Sequence, residues 1–432
     1  MQRWNGLLTA LAASLSLFLL VYFVFIDFSQ SKAASASDFI STFYVAGDLV
    51  ALHQANMLYP PADTSTFATA PFNVSLHRIL PWENPAFSQV FLYMPLVADL
   101  FEPFSLLPSH VALLVWQAIS FAALALSAWL LEKCCCSDTR KFAWLVYPLT
   151  FLPIAHVLWQ GQMSIVFGVL PITVAYVLLR AKRSTEAALI LPLTLVKPQF
   201  FIYALFITLS QLLARRFRFA AYFAAGTAAI IAANIAAFGW VEFTEWLKCL
   251  RIADHIYANA NFAPWFTISM PRQILFSVPI EYRDIFRPII YAVCGTLSLI
   301  AAFLAWKVQY SSLSVEHKVS IIFLIAATLA PLVIPHFFIY DLSMLMPTAF
   351  ILLCNQVPEP MAKRLKPTVL FLWIAFGLYA YIAIFHRAYA QPLVMVIFLA
   401  EFARRAWLET WQCVRNSSPA AASMIAENKF VS

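Results

Sequence analysis

Stretches such as ISFAALALSAWLL and FAAYFAAGTAAIIAANIAAF are apolar on every face, and runs of this kind recur along the whole chain. At roughly 17 to 25 residues and 1.5 Å of rise per residue, each is long enough to cross a hydrocarbon core about 30 Å thick. A membrane β-barrel would instead need segments of about ten residues that alternate apolar and polar. Only 11% of the residues are charged and 62% are hydrophobic, where a soluble domain carries about a quarter charged. The sequence therefore predicts an all-α polytopic membrane protein.

Orientation follows from the basic residues, which cluster at the ends of apolar runs: CCCSDTRK, RAKR, ARRFR, KRLK and ARR. Cytoplasmic loops are enriched in Lys and Arg, so these clusters mark the inner face. The net charge of +7 is accounted for in this way, and no nucleic-acid partner is expected. With the N-terminus inside, the spans read 7–26, 107–131, 141–157, 162–180, a tight pair within 186–213, 219–239, 287–306, 318–335, 342–355, 367–386 and 389–408. About twelve crossings result, in one transmembrane domain over 1–408 followed by a cytoplasmic tail, 409–432. The first run is longer than the apolar core of a secretory signal and is read as an uncleaved span. The pair within 186–213 fits two short spans or a re-entrant pair of half-helices that turns at LVKPQF.

Two long loops face away from the cytoplasm, 27–106 and 240–286, so the work of the protein is expected outside. Within the first, FSQVFLYMPLVADLFEPFSLLP reads as interfacial helices broken by Pro95, Pro103 and Pro108. Eight glycines leave no GxGxxG and no phosphate loop, and HExxH and GxSxG are also missing. Of seven cysteines, Cys134, Cys135 and Cys136 fall on the reducing side without partners at metal-ligand spacing. They are filler or sites of acylation. No metal site and no cofactor are expected, so any enzyme here needs a substrate that carries its own activation.

Polar residues at membrane edges are the functional candidates. Asp38 follows the first span under a cover of aromatic residues, where a carboxylate can serve as a general base; a helix cap is the plainer reading. Asp48 competes with it, but ten residues of helix, about 15 Å, keep the two from acting as a carboxylate pair. Gln162 in WQGQMS, and Lys197 and Gln199 in LVKPQF, stand at membrane edges; Lys197 must snorkel or find an anion, either a phosphate or a carboxylate. Arg272 is a candidate anion contact in the second loop, or one half of a surface salt bridge. His336 and Asp341 interrupt an apolar run in PHFFIYDLSML, where they suit phosphate and hydroxyl contacts or a packed histidine and a helix cap.

In order, the motifs are D-F-x-x-x-F-Y-x-A-G-x-L, L-Y-P-P, F-L-Y-M-P-L with Tyr93, G-Q-M-S, K-P-Q and P-H-F-F-I-Y-D-L-x-x-L. This series resembles the bacterial polyprenyl-phosphate-mannose-dependent α-mannosyltransferases of glycosyltransferase family 87. The resemblance implies a GT-C fold whose first outer loop roofs the active site, and an inner-membrane enzyme with a periplasmic active site. It implies a polyprenyl-phosphate-linked sugar as donor, a glycolipid or glycan as acceptor, membrane lipids around both, and no nucleotide. By position Asp38 matches the family's catalytic base, His336 a histidine at the donor phosphate, and Lys197 with Gln199 its K-P-x segment; Tyr93, Gln162, Asp341, Arg272 and Asp48 join as candidate substrate contacts. The second loop departs from the family, with APWF where relatives often carry a Ser-Leu-Pro-Gly-type run. Two other readings stay open: a polytopic transporter or flippase, and a lipid-linked glycan polymerase or ligase using Arg251, Arg272, Arg283 and Arg287.

Overall fold

The computed structural model describes residues 37–84, 87–135, 148–259, 264–385 and 390–417; the expected first span and Cys136 lie outside them. Fifteen helices follow one another: α1 Phe39–Ala51, α2 Pro71–Ile79, α3 Pro95–Ser105, α4 Ser109–Cys135, α5 Leu152–Gln160, α6 Ile165–Arg180, α7 Ser184–Val196, α8 Pro198–Leu213, α9 Phe217–Asn259, α10 Met270–Phe276, α11 Arg283–Gln309, α12 Val315–Val333, α13 Ile339–Leu353, α14 Glu359–Phe385 and α15 Pro392–Asn416. Among the described residues the extended pairing is a single antiparallel bridge, Thr267 with Phe338. The chain is an all-α polytopic membrane protein.

Five helices, α4, α9, α11, α12 and α14, are long and apolar enough to cross a bilayer, and α5 with α6 makes a sixth when the bent pair counts as one span. The expected crossings within 186–213 and at 342–355 take the form of the shorter apolar helices α7, α8 and α13, and α1, also short and apolar, lies in the expected first outer loop. The 186–213 segment divides at LVKPQF as the sequence predicts. Pro198 begins α8, and Lys197 before it is extended, with φ −120° and ψ 90°, because a proline ring disfavours helical geometry in the residue it follows.

Two expectations about boundaries change. Residues 240–259 of the expected second outer loop are helical; Gly239, at φ 89° and ψ 169°, breaks the helical geometry within α9, so that two helices meet there across a kink, a geometry open to glycine. The C-terminal helix runs to Asn416, past the expected start of the tail at 409, because Glu409 and Gln412 accept hydrogen bonds from Arg364 of α14.

Among the described residues packing forms two large cores and a small third cluster of Leu275, Ile290 and Cys294. The larger gathers buried side chains from α4 to α8, from the start of α9 and the end of α11, and from α12 to α15. At its centre α12 has 78% of its apolar window buried, whereas α9 and α11, at 17% and 28%, form the outer surface. The smaller core, an aromatic roof, is built largely from first-loop residues and packs against α4 and α9. Phe39 stacks on Trp116 and meets Phe101 and Phe104 edge-on, and Phe43 stacks on Phe101 at 5.0 Å. Such pairs contribute about 0.5–1.5 kcal/mol each beyond their buried area. Polar clamps lock the roof: Leu96 N–H donates to Asn234 Oδ1 at 2.8 Å, Trp246 to Leu92 O, and Tyr59 OH to Tyr93 O.

Candidate active site

The polar residues collect on the seam between the two cores. α5 ends at Gly161, whose φ of 63° reverses the chain, and α6 leaves at 118° to α5. A side chain at Gly161 would also stand 2.5 Å from Phe39 Cβ and 2.9 Å from Leu113, so glycine is required both for its backbone and for its size. This reversal puts Gln160 and Gln162 beside the start of α1. The first turns of α1 (Phe39–Tyr44) and of α6 (Ile165–Val169) are π-helical, a conformation frequent at functional sites. Asp38 and Ser164 immediately precede them.

A chain of four side chains results. Gln162 Nε2 donates to Asp38 Oδ2 at 2.6 Å, and Asp38 N–H donates to Gln160 Oε1 at 2.9 Å. Lys197 Nζ donates to Gln162 Oε1 at 3.0 Å and Tyr93 OH at 3.2 Å, and it stands 3.5 Å from Asp341 Oδ1. Asp341 accepts from Phe338 N–H at 3.0 Å, which is the helix-cap role, and from Ser164 Oγ at 3.5 Å. Lys197 and Asp341 are completely buried. The lysine therefore finds its anion in a carboxylate, with its ammonium 4.8 Å over the Tyr340 ring.

With three donors and three partners the ammonium is saturated, and it fixes the direction of the Gln162 amide. The carbonyl faces Lys197, so the NH2 must face Asp38. Among the described residues Asp38 Oδ1 has no hydrogen bond. Burial raises the Asp38 carboxyl above its ordinary range, opposed by the Gln162 hydrogen bond and the Lys197 charge and aided by Asp341.

A second cluster lies on the other side of two tyrosines. Arg272 Nη2 donates to Asp254 Oδ1 at 2.7 Å, and His336 Nε2 lies 3.2 Å from both that oxygen and Arg272 Nη2. One nitrogen cannot donate and accept at once, so the tautomer decides whether His336 faces the carboxylate or the guanidinium. Enclosure pushes the imidazole below its ordinary range, against the pull of Asp254. The segment carrying His336 is held by Ile268 N–H to Phe337 O at 2.7 Å, Ile339 N–H to Phe266 O at 2.9 Å and Ser269 Oγ to Ile334 O at 2.7 Å. Tyr257 packs edge-on to His336 at 5.4 Å and is in electrostatic reach of Tyr93, Asp38 and Arg272. Tyr340 is in reach of Asp38, Asp341, Tyr93 and Tyr257.

The structure thus brings Asp38, Gln162, Lys197, Asp341 and Tyr93 into one network and Arg272 with His336 into a neighbouring one. Asp48 is in neither: it pairs with Arg78 near the surface. Gln199 begins α8 beside the network, with its side-chain oxygen buried and unpartnered. Asp254, Ser164 and Tyr257 carry parts of the site that sequence reasoning missed. Asp254 and Tyr257 share a helical face, but that spacing is invisible once 240–286 is read as loop.

This arrangement pairs a shielded carboxylate with a separate cationic group inside an apolar helical bundle, as a membrane-embedded group-transfer enzyme requires. A match to glycosyltransferase family 87 covers residues 91–335, more than half of the chain, and the protein belongs to that family. It is a membrane glycosyltransferase. No curated protein and no solved structure matches the chain. The matched region contains Tyr93, Gln162, Lys197, Gln199 and Arg272 and stops one residue before His336.

Proposed function

We propose that the protein moves a sugar, mannose by its family resemblance, from a polyprenyl-phosphate donor to an acceptor hydroxyl, with inversion at the anomeric carbon. The observation that carries this reading is the state of Asp38: one oxygen is tied to Gln162, and the other is without a partner among the described residues. In this reading the acceptor hydroxyl gives its proton to Asp38 Oδ1 as its oxygen bonds to the anomeric carbon. The bond from that carbon to the phosphate oxygen breaks, and the phosphate keeps the electron pair. Arg272 and His336 meet the charge that develops there, where exclusion of water strengthens each interaction. Lys197 and Asp341 act through Gln162 as positioning residues, and Tyr93 and Tyr340 line the space between.

The extracytoplasmic face of the plasma membrane is the side this reading requires. α4 and α6 run from the neighbourhood of the site to a basic last turn, at Lys133 and Arg180, and α8 is followed by Arg215 and Arg216. By the positive-inside rule such ends are cytoplasmic, which supports a site on the other side.

The test is transfer of radiolabelled mannose from synthetic polyprenyl-phosphate-mannose to membrane-extract acceptors, with wild type and Asp38→Asn side by side and chelator present. Transfer by wild type alone is expected. Equal transfer by the variant would remove Asp38 from the mechanism, loss in chelator would add a metal to it, and absence of transfer with glucose or arabinose donors active would correct the sugar.

A further inference from the structure

Arg272 has a second side. Beyond its contacts with Asp254 and His336 it lines a narrow cleft between α10 and α11, together with Pro271, Leu275, Arg287, Tyr291 and Pro335. Arg287 is the unusual member. Its side chain is 22% exposed, and its Nε and Nη2 are buried without a hydrogen-bond partner. Asp284 stands 3.3 Å from Nη2, but that carboxylate is 76% exposed to the surroundings and meets the guanidinium as a loose ion pair. A buried donor left unsatisfied is costly, and more so when it is charged. A guanidinium in that condition calls for a ligand that accepts from two N–H groups at once, which is the geometry of a phosphate.

The surroundings select the kind of phosphate. Apart from Asp284, the outward-facing residues that flank Arg287 and Tyr291 on α11 are apolar: Ile285 is 65% exposed, Phe286 42%, Ile289 56% and Val293 47%. The helix itself is one of the spans with the least buried surface, so this flank meets lipid. A soluble phosphate would find two arginines behind a hydrocarbon-facing surface. A lipid phosphate would bring its chain to that surface and its head to the arginines.

We infer that the cleft between α10 and α11 is a bilayer-facing lipid-phosphate site, in which Arg287 receives the phosphate of the polyprenyl carrier and Arg272 joins it to the His336 side. The inference rests on the proposed donor class. It makes Arg287 a positioning residue on the path by which the carrier reaches or leaves the transfer site, with Tyr291, in electrostatic reach of Arg272 and Arg287, at its mouth.

The test is equilibrium binding of synthetic polyprenyl phosphate, with no sugar attached, to the purified full-length protein in nanodiscs. Wild type, Arg287→Gln and Arg287→Lys are compared, with phosphatidylglycerol and inorganic phosphate as competitors. Loss of a charge-assisted, two-pronged contact is expected to weaken binding about tenfold or more in Arg287→Gln. Arg287→Lys is expected to recover part of it, since lysine restores the charge without the fork; Arg287 is peripheral, and this variant also controls for misfolding. Wild-type affinity in both variants would overturn the site. Full displacement by equimolar phosphatidylglycerol would make it a general headgroup site, and displacement by inorganic phosphate alone would remove the role of the chain. Because the assay involves no transfer, a protein that binds polyprenyl phosphate through Arg287 but transfers no sugar would break the catalytic reading and leave this one standing.

Discussion

The two polar clusters flanking Tyr257 and Tyr340 are built on opposite plans. Around Lys197 every donor has an acceptor, and the Lys197–Asp341 pair is sealed, with side chains at most 1% exposed. Around Arg272 the partners are partly open: His336 is 22% and Asp254 26% exposed, and His336 Nε2 is shared between competing neighbours. A sealed and saturated network holds a side chain in place, since any rearrangement would strand a buried charge. A partly open cluster with interchangeable partners can take up a charged ligand. The first is suited to orienting Asp38 and the second to meeting a phosphate.

Substitutions can break this division of labour, and the largest effect is expected at Asp38. Asp38→Asn should lower kcat by about 10² to 10⁴ while the protein remains monodisperse. The wild-type pH profile should sharpen the assignment. A base must be ionised to act, so with its carboxyl raised by burial the rate falls as pH drops through that raised value. The acid limb of kcat/KM should therefore lie above the ordinary aspartate range. A limb at or below it would mean that the titrating group is not Asp38.

Next comes Lys197→Met, which leaves Asp341 as an uncompensated buried charge and is expected to cost about 3–5 kcal/mol of stability. Thermal unfolding in detergent would measure it, and the double variant Lys197→Met/Asp341→Asn should be more stable than Lys197→Met alone. Additive losses would show that the two residues do not act as a unit.

On the open side, Arg272→Gln and His336→Gln should raise the donor KM about tenfold or more, the worth of one charge-assisted hydrogen bond. With its imidazole held below the ordinary range, His336 is neutral from neutral pH upward, and the donor KM should be flat there. An unfolded Arg272→Gln would instead give this cluster the structural role assigned to the other.

Gly161→Ala should destabilise by about 1–3 kcal/mol, from a positive φ and the contact with Phe39. Because that contact adjoins Asp38, kcat should fall with stability. The smallest effect is expected at Asp48→Asn, where a partly exposed pair with Arg78 is worth at most about 1 kcal/mol. Transfer should stay within about twofold of wild type, and a large loss would bring Asp48 back into the site.

Much of the fold was legible because it depends on local physics. Apolar length predicts helices that cross a bilayer, Pro198 predicts the break at Lys197, and the aromatic and proline run before α4 predicts short helices divided by prolines. Asp38, Gln162, Lys197 and Asp341 were legible one by one, because a polar residue at a membrane edge needs a reason. Their connection was not, since Asp38 and Gln162 are separated by more than 120 positions and meet only through the reversal at Gly161. Asp254 was hidden because 240–286 reads as an outer loop, where the helical spacing of Asp254 and Tyr257 does not show.

By itself, then, the sequence determined the class of the protein, the bilayer as its solvent and the residue types available for chemistry. These follow from hydrophobicity, charge and backbone restriction, which act over a few residues at a time. Only the tertiary structure decided that Lys197 answers to Asp341, that Asp48 pairs with Arg78 and that Arg272 meets Asp254 and His336. Those outcomes depend on which buried charge reaches which partner first, and in a low-dielectric interior that is settled by distances of a few ångströms between helices far apart in the chain.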